Sequence, residues 1–340
     1  MTSHMATEVA EIPAAAARFL DLSAQAVRQA ASELRQLDPA LFVTVARGSS
    51  DHAATYFKYA AELLAGVPVA SVGPSVASIY GRPLHLSRAA CVGISQSGRS
   101  PDIVEMMRAA GTGGALTIAI TNFADAPMAQ ASAHCLALQA GQEKSVAATK
   151  TFVTSVLAGL ALLAEWKEDE ALRKAVSGLP SAFEQALSLD WSALGGRLAR
   201  AQSLYVLGRG PGFAIASEAA LKFKETCGLH AEAYSAAEVL HGPSAIVQAR
   251  FPVLALGVED AALPHVVATV ERLAAQGADV YVTGAEAKGV VTLPSVTGLH
   301  PLVAPLVLSV SFYAFIEALA RRRGFDPDTP PHLRKVTETL

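Results

Sequence analysis

Short runs of β-branched and aliphatic residues alternate with long Ala- and Leu-rich segments along most of the chain. This alternation is typical of βαβ units, in which crossover helices join parallel strands. Strands are predicted at Leu41–Ala46, Ala90–Ser95, Leu116–Thr121, His134–Gln139, Ser203–Gly208, Val253–Gly257 and Asp279–Thr283. Helices are predicted at Asp51–Leu64, Ser100–Ala109, Thr149–Trp166, Phe213–Thr226, Leu263–Ala275 and Pro301–Arg321. We therefore expect an α/β protein built on parallel sheets.

Two parts of the chain repeat the same order of features. Ala46-Arg47-Gly48, a helical pattern and Gly66 are matched by Gly208-Arg209-Gly210, a helical pattern and Gly228, at a constant offset of 162 residues. An internal duplication of one domain explains this offset. The alternative is that a strand, a glycine turn and a helix recur as they do in any doubly wound fold.

The predicted domain boundaries follow from this repeat. In chain order we expect an N-terminal extension and helix (1–25), a first domain (26–168), a charged connector (169–194), a second domain (195–325) and a C-terminal tail that closes over the active site (326–340).

Composition excludes several classes of protein. A formal charge of -3 over 340 residues gives no broad basic surface for nucleic acid or an anionic membrane, and 51% apolar residues suffice for about two packed domains. Cys91, Cys135 and Cys227 are widely spaced, and the nine histidines are scattered, so neither disulfides nor a metal site is indicated. We expect a cytoplasmic protein without a metal or other cofactor.

One apolar stretch resembles a membrane span. Residues 289–316 carry no Lys, Arg, Asp or Glu and are followed by three arginines, Arg321–Arg323. Pro294, Pro301 and Pro305 interrupt the stretch. It is therefore predicted to be a strand, a turn and a buried helix.

Hydroxyl side chains follow the strand that ends near Ser95. Ser95, Gln96, Ser97 and Ser100 converge where a helix begins, and the free N–H groups of a helix N-terminus favour an anion. A second cluster, Arg47-Gly48-Ser49-Ser50, occupies the same kind of turn after an earlier strand and could close over the same ligand from the neighbouring strand. The alternative is a purely structural role, in which Ser100 only caps the N-terminus of its helix. The two clusters together predict a phosphate site.

A dinucleotide site is the competing interpretation. Gly208-Arg209-Gly210-Pro211-Gly212 is the nearest glycine-rich turn, but Pro211 is expected to disturb the start of the helix. No acidic partner for a ribose follows the next strand. A small phosphorylated ligand fits these turns better than a dinucleotide.

Four motifs, taken together and in this order, resemble the sugar isomerase (SIS) family, and within it the isomerase half of glucosamine-6-phosphate synthase and the related stand-alone deaminases. They are Ser95-Gln96-Ser97-Gly98, Ala147-Ala148-Thr149-Lys150, Leu221-Lys222-Phe223-Lys224-Glu225 and Leu240-His241-Gly242-Pro243. The resemblance implies two flavodoxin-like SIS domains, each a three-layer α/β/α sandwich. It also implies a homodimer that shares its active sites and binds a small phosphorylated sugar.

The resemblance also implies roles for individual residues. The substrate-binding residues would be Gly48, Ser49, Ser50, Ser95, Gln96, Ser97 and Ser100 around the phosphate, and Val146, Ala148 and Thr149 along the sugar. Glu225 would move a proton between C1 and C2 with Lys222 beside it. His241 would assist ring opening from the partner subunit, and Lys335 would touch or condense with the open-chain sugar. The chain departs from the family at Arg99, where an acidic residue is usual, and at Ala148, where a hydroxyl is common.

The catalytic candidates each have a simpler explanation. Lys222 and Glu225 are three residues apart on one helix face, which is also the spacing of a surface ion pair. His241 precedes Gly242-Pro243, so it is either catalytic or a surface residue of a turn. Lys335 follows Pro330-Pro331 and belongs either to a frayed tail or to an ordered lid.

The expected reaction is the conversion of glucosamine 6-phosphate to fructose 6-phosphate and ammonia. A glutaminase segment is not expected, because the isomerase-like part begins almost at the N-terminus. Two alternatives stay open at this point. One is another phosphosugar isomerisation, or an ammonia-dependent synthesis in reverse, and the other is a non-catalytic sugar-phosphate sensor.

Overall fold

The computed structural model describes residues 2–335 of the chain, so Met1 and the last five residues of the predicted tail, 336–340, lie outside it. Its strands are β1 (Leu41–Val45), β2 (Val69–Ser71), β3 (Ala89–Ile94), β4 (Leu116–Thr121), β5 (His134–Ala137), β6 (Ser203–Gly208), β7 (His230–Ser235), β8 (Pro252–Ala255), β9 (Asp279–Val282) and β10 (Val291–Thr292). Its helices are α1 (His4–Ala10), α2 (Ile12–Leu22), α3 (Ala24–Leu37), α4 (Ser49–Ala65), α5 (Ser75–Ser78), α6 (Pro101–Thr112), α7 (Pro127–Gln130), α8 (Lys150–Lys167), α9 (Glu170–Ser177), α10 (Leu179–Leu187), α11 (Ser192–Leu198), α12 (Pro211–Cys227), α13 (Leu263–Ala275) and α14 (Ala304–Arg322).

These residues form two compact units. The first comprises Glu11–Glu143, Lys150–Pro180 and residues 334–335, and the second comprises residues 2–10, Lys144–Thr149 and Ser181–Leu333. Each unit therefore includes short segments from distant parts of the chain, whereas the predicted domains are contiguous. The predicted domain boundaries stay a prediction.

The first unit is built on a parallel sheet with the strand order β2-β1-β3-β4-β5. Because parallel crossovers are right-handed, α4 covers one face of the sheet and α6 and α7 cover the other. Helix α8 is apolar almost all round and packs against α2, α3 and α4. This is the predicted three-layer α/β/α arrangement.

The second unit repeats this arrangement. Its sheet has the order β10-β9-β8-β6-β7, which is the same topology counted from β6, and all of its strand pairs are parallel. Helix α12 corresponds to α4, and α14 packs against α12 as α8 packs against α4. The two sheets confirm the predicted pair of flavodoxin-like domains.

Glycine backbone angles support the internal duplication. Gly48 and Gly210 begin the 17-residue helices α4 and α12 with φ/ψ of 56°/-131° and 55°/-135°. Gly66 and Gly228 end the same helices with φ of 66° and 54°. Side-chain-bearing residues rarely adopt such angles, so the matched positions follow from one repeated backbone design.

Most predicted elements are confirmed within a few residues, with two corrections. The predictions missed the edge strands β2 and β7, whereas β10 lies within residues 289–316, where a strand was predicted. The expectation that Pro211 disturbs the helix after Gly210 was wrong, because Pro211 is the first residue of α12. Proline suits that position, where its missing N–H has no partner to lose.

The C-terminal helix α14 is the apolar stretch that resembled a membrane span. By length and composition it passes as a span, and 83% of its apolar window is buried inside the structure. The prediction of a buried helix is confirmed. The chain's first helix, α1, packs on α14, and the carboxylate of Asp328 accepts hydrogen bonds from the N–H groups of His4 (2.7 Å) and Met5 (2.8 Å).

Candidate functional site

The phosphate candidates of the first unit lie at the carboxyl ends of β1 and β3. These strands are neighbours in the sheet, and the chain leaves them in opposite directions, which is where ligands bind in open α/β sheets. The two loops line a cavity of about 390 Å³. Its lining residues are Arg47, Gly48, Ser50, Ile94, Ser95, Gln96, Ser97, Ser100, Ile103 and Lys335. The structure thus brings together the predicted phosphate residues except Ser49, which begins α4 but is not among the lining residues.

The loop between β3 and α6 is ordered by its own hydroxyls. Ser95 Oγ accepts a hydrogen bond from the N–H of Gly98 (3.2 Å), and Ser97 Oγ accepts one from Arg99 (3.3 Å). Ser100 does stand at the N-cap of α6, yet its side chain makes no capping hydrogen bond. Its hydroxyl is therefore available to a ligand at the helix N-terminus, so capping alone does not explain this residue.

Gly98 fixes the sharp turn of this loop. Its φ is +62°, and a Cβ there would lie 2.7 Å from Ala126 Cβ and 2.8 Å from Thr121 Oγ1. Both distances are shorter than real Cβ contacts allow. The loop therefore needs glycine at this position for its backbone angle and for space.

Lys335 is held at the wall of the same cavity. Its Nζ lies 2.8 Å from Oε2 of Glu143, a carboxylate with no exposed side-chain surface. The same carboxylate accepts hydrogen bonds from the backbone N–H (3.1 Å) and hydroxyl (2.6 Å) of Thr151. This contact agrees with an ordered segment rather than a frayed tail.

The segment predicted to lie along the sugar belongs to the second unit. Val146 donates its N–H to the carbonyl of Asp328 (3.1 Å), and Ser145 hydrogen-bonds the buried carboxylate of Glu8 through its backbone and side chain. Neither Val146 nor Ala148 is among the residues that line the 390 Å³ cavity or a second cavity next to Glu225. Thr149 is buried and likewise lines neither.

A charged cluster on α12 contains two of the four predicted catalytic residues, Lys222 and Glu225. Lys222 Nζ lies 2.6 Å from Glu225 Oε2 and 3.2 Å from Glu218 Oε1. Lys222 has no exposed side-chain surface, Glu218 has 1% and Glu225 has 21%. The alternative of a surface ion pair is therefore wrong. Burial disfavours the charged form of Lys222, but the two carboxylates outweigh burial and raise the pKa of this lysine above its ordinary value.

Glu218 is a member of this cluster that the sequence predictions missed. It accepts a hydrogen bond from the hydroxyl of Tyr313 (2.9 Å) as well as pairing with Lys222. Its spacing of four from Lys222 and seven from Glu225 places all three on one helix face. That spacing was the available signal.

Glu225 is the member of the cluster that a ligand can reach. It lines a cavity of about 440 Å³ in the second unit. The other lining residues are Leu221, Lys224, Gly228, Phe325, Pro331 and Leu333. A partly exposed carboxylate held by a buried ammonium is suited to accept and return a proton at a fixed position.

His241 is exposed and follows a 3-10 turn in the second unit, with its N–H donated to the carbonyl of Glu238 (2.9 Å). It is not among the residues that line the Glu225 cavity. The hydroxyl of buried Tyr205 donates to the carbonyl of Pro243 (2.9 Å) and so ties this turn to the sheet. That the partner subunit contributes its His241 to the active site stays a prediction.

Within residues 2–335, no group of three or more His, Cys, Asp or Glu side chains is arranged to hold a metal ion.

Comparisons with known proteins agree with this architecture. A family model described as the SIS domain matches residues 41–165 and 197–319. The glutamine–fructose-6-phosphate aminotransferase (isomerizing) of Halobacterium salinarum is 35% identical over 313 residues, which are 86% of this chain and 50% of that protein. The chain thus spans about half the length of the curated relatives it matches.

Two solved structures are similar over nearly the whole chain. A candidate phosphosugar isomerase from Silicibacter pomeroyi is 52% identical with a TM-score of 0.93, covering 96% of this chain and 100% of that one. The C-terminal domain of the glucosamine-fructose-6-phosphate aminotransferase from Francisella tularensis is 25% identical with a TM-score of 0.85, covering 97% and 99%.

Proposed function

The chain belongs to the SIS domain family of phosphosugar isomerases, and from that premise we propose that it is an amino-sugar phosphate deaminase. The proposed reaction converts glucosamine 6-phosphate to fructose 6-phosphate and ammonia. The observation that carries the proposal is the carboxylate of Glu225, which is held at 2.6 Å by buried Lys222 and lines a cavity.

In the first unit, the cavity at β1 and β3 would bind the phosphate. Hydroxyls of Ser50, Ser95, Ser97 and Ser100 line it, and the N-terminus of α6 contributes partial positive charge. Fixing the phosphate orients the rest of the sugar, which lowers the entropic cost of the reaction. This binding needs no strongly basic protein surface.

In the second unit, Glu225 would carry out the proton transfer. After ring opening, its carboxylate takes the proton from C2. The electron pair of that bond forms a C1–C2 double bond, while the π pair of the C1 carbonyl moves to O1, which takes up a proton from solvent. Glu225 then returns its proton to C1 as the nitrogen lone pair forms an imine at C2 and an N–H proton is lost to solvent; water adds to C2, and ammonia leaves to give the ketone. A positioned carboxylate typically accelerates such a transfer by ~10²–10⁴-fold.

The remaining roles rest on the family resemblance. His241 would assist ring opening as part of a homodimer, and Lys335 would contact the open-chain sugar. The protonated Lys222 would keep the Glu225 carboxylate oriented, because Lys222 is anchored on its other side by Glu218.

The test is Glu225→Gln, assayed for ammonia release from glucosamine 6-phosphate. We expect release to fall by at least about 10²-fold, in line with loss of a general base, while calorimetry still detects sugar-phosphate binding. Glu184→Gln makes the same chemical change at an exposed residue of α10 and should leave the rate unchanged. Full ammonia release by the Glu225 variant would remove this residue from the mechanism.

A second candidate is isomerisation without deamination, or ammonia-dependent synthesis of the amino sugar. It is favoured by the similarity to a candidate phosphosugar isomerase and to isomerizing aminotransferases. Both reactions would use the same proton transfer. Assays of ammonia release and uptake and of aldose–ketose conversion, run on several hexose 6-phosphates, distinguish the two candidates.

A further inference from the structure

Arg47 is the one cation of the predicted cluster Arg47-Gly48-Ser49-Ser50. It lies in the loop between β1 and α4 and lines the 390 Å³ cavity of the first unit. Its side chain is 54% exposed. Its Nη2 and Nε lie 2.8 and 3.2 Å from Oδ2 of Asp102, in the first turn of α6.

The buried carboxylate of Asp102 anchors this arginine. Its side chain has no exposed surface, and its Oδ1 also accepts a hydrogen bond from the N–H of Ile103 (2.9 Å). A guanidinium carries five N–H donors in a rigid plane, and the two contacts to Asp102 leave three. Arg47 is thus held from one side in a fixed orientation at the wall of the cavity.

The other cation of the cavity is already paired. Lys335 contacts the buried carboxylate of Glu143 at 2.8 Å. The remaining polar lining consists of hydroxyls, an amide side chain and backbone groups, none of which carries a full charge. A guanidinium differs from these neutral donors, because the attraction of a full positive charge increases more steeply with the charge of the anion than that of a dipole.

We propose that Arg47 is a specificity-determining residue that selects a doubly charged phosphate ester over a singly charged or neutral sugar, with Asp102 as its positioning residue. This inference rests on the proposed function, because it assumes that the cavity binds the phosphate of a sugar. Arg47 spans from the loop after β1 to the helix after β3, so one side chain connects the two loops that line the site.

A purely structural role for the Arg47–Asp102 pair makes a different prediction. If Arg47 only neutralised a buried carboxylate, its loss would weaken every ligand of the cavity to the same extent. A charge-selecting role instead predicts that affinity falls more for a doubly charged ester than for a singly charged ester of the same shape. The ratio of the two affinities therefore separates the roles.

The experiment compares D-glucitol 6-phosphate with D-glucitol 6-sulfate by calorimetry at pH 8. Both probes are open-chain and lack a carbonyl, so no turnover interferes, and the phosphate is doubly charged above its second pKa of about 6. The parent should prefer the phosphate. Arg47→Gln should lose about 10- to 100-fold in phosphate affinity, the range for a charge-assisted hydrogen bond, and much less in sulfate affinity.

Two further variants protect the result from misfolding. Arg47→Gln combined with Asp102→Asn removes the uncompensated buried charge and should show the same collapse of the phosphate-to-sulfate ratio. Arg47→Lys keeps the charge and should retain part of that ratio. Arg99→Gln, which removes an exposed arginine 5.9 Å from the ring of Phe123, is the matched control for a general loss of positive charge and should keep the parental ratio.

Equal losses for both probes in the Arg47 variants, or the same collapse in Arg99→Gln, would overturn the inference. Failure of the parent to bind either probe would overturn it together with the sugar-phosphate site. A parent that selects the phosphate through Arg47 but releases no ammonia would refute only the proposed deaminase reaction.

Discussion

Lys222 and Glu225 form an ion pair of 2.6 Å in which the ammonium is completely buried and the carboxylate reaches solvent. The ammonium is also held on its inner side by Glu218 at 3.2 Å. Because buried Lys222 contacts both carboxylates, it holds Glu225 at a fixed position from inside the protein. The carboxylate of Glu225 can therefore act as a base whose position does not change.

Replacing Lys222 with Met should destabilise the second unit strongly. The change leaves two neighbouring carboxylates without their cation, and breaking a buried pair typically costs about 3–5 kcal/mol. Denaturant unfolding of Lys222→Met measures this loss, with Lys224→Met on the exposed side of α12 as the control. An unfolding free energy within error of the parent would show that the ion pairs of Lys222 do not stabilise the second unit.

The same lysine predicts a pH dependence of stability. Its pKa is raised in the folded chain, so its contribution is complete below the ordinary lysine value of about 10.4 and is lost as the pH rises through the higher folded value. Unfolding free energies measured from pH 8 to 11 should fall at the alkaline end. The Lys222→Met variant should lack that part of the decline.

Substituting Ala for Gly98 should damage the phosphate loop more than the same change at Gly66. Both glycines have positive φ, but only at Gly98 would the new Cβ meet Ala126 and Thr121, whereas at Gly66 nothing lies within 4 Å. Gly66→Ala should cost about 1–2 kcal/mol from backbone strain, and Gly98→Ala a further ~1–3 kcal/mol from overpacking. Unfolding curves and calorimetry with inorganic phosphate test this, and equal costs would contradict it.

Tyr205→Phe should slow turnover while leaving the fold almost as stable. The variant loses the hydrogen bond to Pro243 that ties down the His241 turn, worth about 1 kcal/mol. Burial, with smaller effects of Tyr234 and Glu232, raises the pKa of Tyr205 to about 12, so the hydroxyl remains a donor throughout the assay range. Turnover and unfolding are compared with Tyr281→Phe on β9; equal turnover in both variants would leave Tyr205 no positioning role.

Cys91 and Cys227 should resist alkylation in the native protein. Burial raises the pKa of Cys91 to about 12 and that of Cys227 to about 11, so almost no thiolate exists at pH 8. Mass spectrometry after iodoacetamide treatment should find both thiols unmodified until denaturant is added. Native labelling of Cys227 at the rate of a free thiol would reveal opening of α12 next to Glu225.

The sequence predicted every central strand but missed the edge strands β2 and β7. Strands such as β3 and β4 are continuous apolar runs, because both faces of a parallel sheet are covered by helices. The edge strand β7 has the sequence His-Ala-Glu-Ala-Tyr-Ser, and β2 is only three residues long. Such strands form because they pair with a neighbouring strand, and the local sequence pattern carries no information about that neighbour.

The site divides in the same way. The serine-rich loop was predictable because its residues are consecutive and precede a helix. The Arg47–Asp102 pair was not, because the two residues are 55 positions apart and meet only through the neighbouring placement of β1 and β3. The helical spacing of Glu218 placed it on the same face as Lys222 and Glu225, but only the structure shows that it is buried and paired with Lys222.

The packing of α1 on α14 has a consequence for synthesis on the ribosome. Helix α1 is translated more than three hundred residues before the Asp328 carboxylate that binds its N-terminus. At about 5–20 residues per second, α1 waits on the order of tens of seconds for its docking surface. Helix α1 therefore reaches these native contacts long after it is made, and chaperones have that interval in which to bind it.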